Sequence, residues 1–230
     1  MIVGPALGVA VAGALTHGAF YHNSPVFGRV ISHLRTRQRV VALTFDDGPN
    51  PDATPAILDA LGQRGITAAF FILGRHAERW PALVRRAADE GHTICNHGYH
   101  HRKLHLKSPR YVRRDLELGT QAIFDACGVR PGFFRAPHGF RSPWVTAIAA
   151  SLGQRTVGWS RGVWDSACPG AEVIAERTVR AAQPGAILLL HDGDGYDPLG
   201  NRRQTAQAVP LLADRIRYAG FGFARLDMAA

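Results

Sequence analysis

Two carboxylates stand side by side in Thr44-Phe45-Asp46-Asp47-Gly48-Pro49, and two histidines stand four residues apart at His97 and His101. Adjacent side chains cannot easily share one role. One aspartate therefore suits a metal, and the other suits a water molecule as general base. Two imidazoles at a spacing of four would point the same way from one helical turn and reach a single ion. With a carboxylate they make three protein ligands, and hydrolytic zinc sites keep three such ligands and one open position. His191, in His191-Asp192-Gly193, supplies a general acid, and Arg135 supplies a cation that keeps an aspartate ionised. This is the equipment of metal-assisted hydrolysis. Each residue taken alone has a plainer reading. Asp-Asp-Gly-Pro suits a turn, Arg135 suits a surface, and helices place histidines four apart by chance. His92 reads as a core histidine, and His100 and His105 read as solvated or as supports behind the ligands.

The elements that must position these residues are short apolar runs alternating with amphipathic segments. Strands are expected at 40–45, 67–73, 92–95, 132–135, 154–159, 186–190 and 221–226. Helices are expected after Thr54-Pro55, with Thr54 as N-cap, near Pro81, and from Ser108-Pro109 to a stop at Gly128. Further helices are expected after Ser142-Pro143, over 171–182 and over 204–219. Alternation of this kind implies a parallel sheet with helices outside, either a nearly closed barrel or an open doubly wound sheet. Asp46-Asp47, Asn96-His97, Arg135, Asp165 and His191 each follow a strand. In parallel α/β folds those carboxyl ends gather on one face, where the chemistry is done. Five strand ends offering polar groups to one face make an active site the better reading.

Composition bounds the rest. The chain has 230 residues, 46% hydrophobic and 20% charged, which excludes disorder, collagen and coiled coil. It carries 27 Lys and Arg against 18 Asp and Glu, a formal charge of +9, and only Lys103 and Lys107 are lysines. A basic surface favours polyanions without choosing among them. No recognition motif or aromatic-basic interleaving accompanies the charge, so no nucleic acid is expected as partner. Cys95, Cys127 and Cys168 are too few and too scattered for a disulfide framework and read as buried free thiols.

The amino end is different in kind. Residues 1–16, MIVGPALGVAVAGALT, contain no charge, and Arg29, Arg35, Arg37 and Arg39 follow with no acid among them. Residues 1–38 are expected to be an apolar arm or membrane anchor with a basic linker, and 39–228 one domain. The anchor reading implies membrane association and places the protein in the cell envelope or at a membrane rather than in the cytoplasm.

The motifs carry a resemblance. The chain is similar to the polysaccharide deacetylases with a NodB-homology domain, carbohydrate esterase family 4, over about residues 39–227. Thr44–Pro49 resembles the family's first motif, His97-Gly98-Tyr99-His100-His101 the second, Arg135-Ala136-Pro137-His138-Gly139 the third, and Leu189-Leu190-His191 the last. The resemblance implies a distorted (β/α) barrel of about seven parallel strands. It implies Asp46 as base, and Asp47, His97 and His101 as ligands of a divalent ion, zinc or another. It implies His191 as acid, Arg135 orienting the base and Asp165 tuning the acid. Pro137, His138, Gly139, Trp164 and Leu189 would bind substrate, with Leu189 at the acetate methyl and a backbone N–H near His138 at the oxyanion. The expected substrate is an acetylated glycan, as in peptidoglycan, chitin-like oligomers or lipid-linked sugars. The alternatives are O-acetyl ester hydrolysis, as on xylan, and a non-catalytic carbohydrate-binding relic. In the fourth motif Gly162 stands where an Asp is common and Ser166 where a Trp is common. His138 stands where a Tyr is frequent.

Overall fold

The computed structural model describes residues 4–229, so the first three residues of the apolar stretch lie outside the described residues. After helix α1 (Gly4–Phe20), the chain enters a central strand β1 (Val40–Asp46). β1 pairs in parallel with β2 (Ala69–Ile72) and β7 (Ala186–His191). β3 (Thr93–Asn96), β4 (Phe133–Phe134), β5 (Arg155–Thr156) and β6 (Arg161–Gly162) complete the order β5-β4-β3-β2-β1-β7-β6. β8 (Gly222–Phe223) pairs with the start of β1 at Val40 and Val41, whereas β2 pairs with its end. Both share the edge that β7 leaves free. Every strand pairing is parallel, and the strands are apolar runs because both faces are covered.

The helices are α2 (Ala53–Gly62), α3 (Gly74–Arg79), α4 (Pro81–Asp89), α5 (Pro109–Cys127), α6 (Val145–Ser151), α7 (Ala171–Ala181) and α8 (Arg203–Tyr218). Strand periodicity sorts each strand into two layers. Val41, Leu43 and Phe45 of β1 pack outward with Ile57, Ile123 and Leu212 of the helices, together with Phe70, Ile94, Leu188 and Leu190. The intervening Ala42, Ala69, Phe71, Cys95, Phe133 and Ile187 form a second, inner cluster. Two residues further along the inner side of each strand stand Asp46 after Thr44, His97 after Cys95, Arg135 after Phe133, and His191 after Leu189. One alternation thus buries the core and aims the polar side chains inward.

The sheet curls without closing. Among the described residues β5 and β6 do not pair; the chain ahead of β1 fills that seam. Ile31 bridges to Val157 and His33 to Ala186, and Leu34 is buried in the inner cluster. Residues 31–34, ahead of the boundary expected at residue 39, thus pack against the sheet. The strand expected over 154–159 shortens to β5 for the same reason, and β6, beyond it at Arg161–Gly162, was not expected. Gly158 N–H turns to Ile31 and Ser160 N–H to Ile187, so the chain crosses the seam between them.

Two further expectations change, and one helix is new. Thr54 is no N-cap: it lies inside α2, and its hydroxyl donates to Asp192 Oδ2 at 2.6 Å while accepting from Asn50 N–H. α3 had no periodic signal, being only six residues long. Of the three free thiols only Cys95 is buried; Cys127 is half-buried and Cys168 exposed. By contrast Ser108 caps α5 as expected, accepting from Tyr111 N–H, and Gly128 closes it at φ 75°.

Candidate active site and metal centre

The site is assembled on the carboxyl ends of β1, β3, β4 and β7. Asp47 Oδ1 lies 3.3 Å from His97 Nε2 and 3.1 Å from His101 Nε2, and all three residues are buried. Donors with bonds of about 2.0–2.1 Å to a tetrahedral ion stand about 3.4 Å apart, which these distances approach. His97 Nδ1 lies 2.8 Å from the Arg135 carbonyl, which can only accept. That fixes the proton on Nδ1 and leaves Nε2 a lone pair for a ligand bond. Asp47 Oδ1 and His101 Nδ1 are buried with no hydrogen-bond partner. A buried carboxylate oxygen left bare costs about 1–3 kcal/mol or more, so the donor set fits a divalent cation. Burial alone would raise Asp47, but the neighbouring His101 and His97 imidazoles outweigh it and hold the carboxyl well below its ordinary range.

The two histidines of this candidate ligand set do not share a helical turn. They lie in the loop after β3, which Gly98 (φ 78°) and His101 (φ 57°) fold back through left-handed backbone. Asp115, buried on α5, holds that loop: its carboxylate accepts from Tyr99 N–H at 3.0 Å and His100 N–H at 3.2 Å, and pairs with His100 Nδ1 at 2.7 Å. A β-carbon on Gly98 would come within 2.5 Å of that carboxylate. Asn96 steadies the loop's start, accepting from Gly98 N–H at 2.8 Å and donating to the Leu116 carbonyl at 3.0 Å. Asp47 is itself left-handed (φ 74°), and its carbonyl accepts from His76 Nδ1 at 2.8 Å. Sequence reasoning missed Asp115 and His76. Asp115 had a signal, being an acid on the stripe Val112, Leu116, Gly119 that faces the core. His76, on the short α3, had none.

Asp46 is clamped on one oxygen. Arg135, fully buried, donates to Asp46 Oδ1 at 2.6 Å, to Thr44 Oγ1 at 2.9 Å and to the Gly158 carbonyl at 2.8 Å, while stacking 4.0 Å over Phe71. Asp46 Oδ2 faces the ligand cluster, 3.8 Å from His97 Nε2. On β7, in register with Asp46, His191 pairs through Nδ1 with Asp165 Oδ1 at 2.9 Å. Asp165 Oδ2 accepts from His191 N–H and from the Thr205 hydroxyl. Burial would lower His191, but Asp165, and more weakly Asp47 and Asp46, push it up to about 9. Burial would raise Asp165, and the His191 charge and hydrogen bonds hold it low.

Leu189 shares the inward face with His191 and is buried. Pro137–Gly139 form a single turn with His138 left-handed at φ 58°. His138, lowered to about 4 by burial and by His101 and His97, pairs with the Tyr196 hydroxyl at 2.8 Å. Tyr196 was not anticipated; it enters on the loop after His191, where Gly195 lies against the His101 ring with no room for a β-carbon. Trp164 is 74% exposed. Gly162 sits in β6 beside Leu189, and a β-carbon there would meet only Trp159 Nε1 at 3.6 Å, an ordinary contact. His92 is buried as expected, accepting from Ala68 N–H, and His100 is half-exposed against Asp115.

The polysaccharide deacetylase family profile matches residues 33–157. The chain belongs to that family. It is 38% identical over 192 residues to a chitooligosaccharide deacetylase of Bradyrhizobium sp., covering 80% of this chain and 87% of that one. It is 35% identical over 198 residues to a peptidoglycan-N-acetylglucosamine deacetylase of Bacillus cereus, covering 85% and 90%. The crystal structure of a peptidoglycan N-acetylglucosamine deacetylase in complex with a substituted N-oxidanyl-benzamide superposes with a TM-score of 0.80 at 30% identity, covering 86% of this chain and 91% of that one. The curled parallel sheet described above is thus the distorted (β/α) barrel of carbohydrate esterase family 4.

Proposed function

We propose that the protein is a metal-dependent hydrolase that removes N-acetyl groups from amino-sugar residues of a glycan. The observation that carries this reading is one inward face holding three convergent metal donors between a clamped carboxylate and a clamped imidazole. The similar chitooligosaccharide and peptidoglycan deacetylases support it.

Asp47, His97 and His101 would hold the ion, and two imidazoles with one carboxylate suit zinc. When bound, such an ion supplies Lewis-acid polarisation of an acyl carbonyl and a lower pKa for water beside it. The chain's own groups do the proton work. Asp46 Oδ1 is occupied by Arg135, so Oδ2 is the atom that takes a proton from water. His191, up at about 9, is protonated at neutral pH and donates from Nε2 to the leaving amine, because Nδ1 is engaged by Asp165. Arg135 orients Asp46 through Oδ1 and Asp165 keeps His191 charged, so base and acid coexist a strand apart. Leu189 offers an apolar wall to the acetyl methyl, and Pro137–Gly139 flank the sugar.

The test is acetate release from chitin oligosaccharides, peptidoglycan and acetylxylan with metal-loaded and chelated enzyme. Release from the first two, abolished by chelation and restored by zinc, is the expected result. Release from acetylxylan alone would make the protein an O-acetyl esterase. Release from none, with metal bound, would make it a non-catalytic relic.

A further inference from the structure

α1 is unlike the other helices. Its sequence GPALGVAVAGALTHGAF carries no Lys, Arg, Asp or Glu. Residues 8–17 are exposed throughout, Val9 by 75% and Val11 by 52%. At 3.6 residues per turn such a run covers the whole circumference, so no face of it packs on the domain. A helix that docks in a protein groove has one apolar stripe and one polar face; a helix apolar all round needs apolar surroundings all round. A second copy of α1 would cover one side and leave the other bare.

The root of this helix is clamped to the catalytic face. Arg141, buried, donates to the Ser24 carbonyl at 2.7 Å, and its N–H donates to the Ala19 carbonyl at 3.1 Å. Phe20 meets Phe140 edge-on at 5.4 Å. His22 stacks on Trp159 at 3.9 Å, and Asn23 donates to the Trp159 carbonyl at 2.8 Å. These partners directly follow the Arg135–Gly139 loop and the Gly158 carbonyl that Arg135 grips. Beside the root, Gly18 sits under the Phe27 ring, and Phe27, Ile31 and Ala150 line a cleft of about 600 Å³ edged by Arg29, Arg35 and Arg155. No acid lines it. An apolar cleft rimmed by cations matches the acyl chain and phosphate of an anionic phospholipid.

We propose that α1 and this arginine-edged cleft seat the protein on an anionic lipid bilayer, with the active-site loop held at the membrane boundary and the glycan substrate presented there. α1 is the part that enters: its 17 described residues reach about 25 Å into a hydrocarbon core roughly 30 Å thick. No helix among the described residues is long and apolar enough to cross a membrane. The substrate that follows is an amino-sugar glycan carried by, or lying against, the membrane; that clause rests on the deacetylase reading.

Flotation of the full chain tests the seat, using phosphatidylcholine vesicles with and without phosphatidylglycerol. The wild type is expected to float with the anionic vesicles. The triple variant Val9→Asp, Val11→Asp, Leu15→Asp, altered only at exposed positions, is expected to lose at least tenfold in the floated fraction. It should release acetate from a soluble chitin tetramer at the wild-type rate. Arg29→Glu with Arg35→Glu is expected to erase the preference for anionic over neutral vesicles. A wild type that remains at the bottom of the gradient, or a triple variant that floats equally well, overturns the proposal. So does a concentration-dependent dimer, abolished by the triple variant, that binds no vesicle. Flotation without activity on the tetramer overturns the deacetylase reading and leaves the membrane seat standing.

Discussion

The two halves of the active site are built by different means. On the acid side, His191 sits at the end of β7, in register with β1. Every polar contact of Asp165 is met within the protein, by His191 twice and Thr205 once. On the metal side, Asp47 and His101 stand on left-handed backbone, and Asp47 Oδ1 is buried without a partner. The acid side is complete as folded; the metal side would be completed by an ion. Hydrogen-bonded pairs on a strand tolerate an empty site, whereas convergent donors on loops store an electrostatic cost that only a cation relieves.

The largest expected effect lies on the metal side. Asp47→Ala or His97→Ala should lose metal and activity together, whereas His105→Ala should keep both; elemental analysis beside acetate release decides it. Full metal occupancy in both ligand variants would break the contrast between the halves.

Next comes the base. Asp46→Asn keeps the ligands and the Arg135 contact but removes the proton acceptor, so turnover should fall by about 10²–10⁴ at near-normal metal content. A near-wild-type rate would remove Asp46 from the mechanism.

Asp115→Ala probes whether the loop, rather than the ligands alone, makes the metal side. Removing the acceptor for Tyr99 and His100 should weaken zinc affinity by about 10–100-fold, read by competition with a chelating dye, while the His191 side is unchanged. Unaltered affinity would show that the left-handed turn holds itself.

On the acid side, His191→Asn should keep metal and slow an N-acetyl sugar more than an aryl acetate, because only the amine leaving group needs a proton. Equal losses would refute the acid role.

The smallest effect is in pH. A histidine raised to about 9 when folded stabilises the protein fully below its ordinary value near 6.5, and that contribution is lost as pH rises through about 9. Amide turnover should fall over the same upper limb. In Asp165→Asn both changes should move to lower pH, which thermal melts and rate profiles would follow.

Motif spacing and strand alternation were enough to read the parallel sheet, the Ser108 cap, and the identity of the groups at the strand ends. They are local properties: a period of two decides which side chains face inward, and an apolar run decides that a strand is covered on both faces. The path of the metal loop was not legible. A spacing of four reads as a helical turn, yet His97 and His101 converge through left-handed backbone at Gly98 and His101, held by an acid fourteen residues beyond His101 on another element. The same is true of Thr54, whose hydroxyl serves Asp192 on β7 instead of capping its own helix, and of residues 31–34, which fill the seam between β5 and β6. Local sequence determined which chemistry the chain carries. The tertiary structure alone decided the distances, because positive-φ turns and buried hydrogen bonds depend on partners brought close only by the closing of the core.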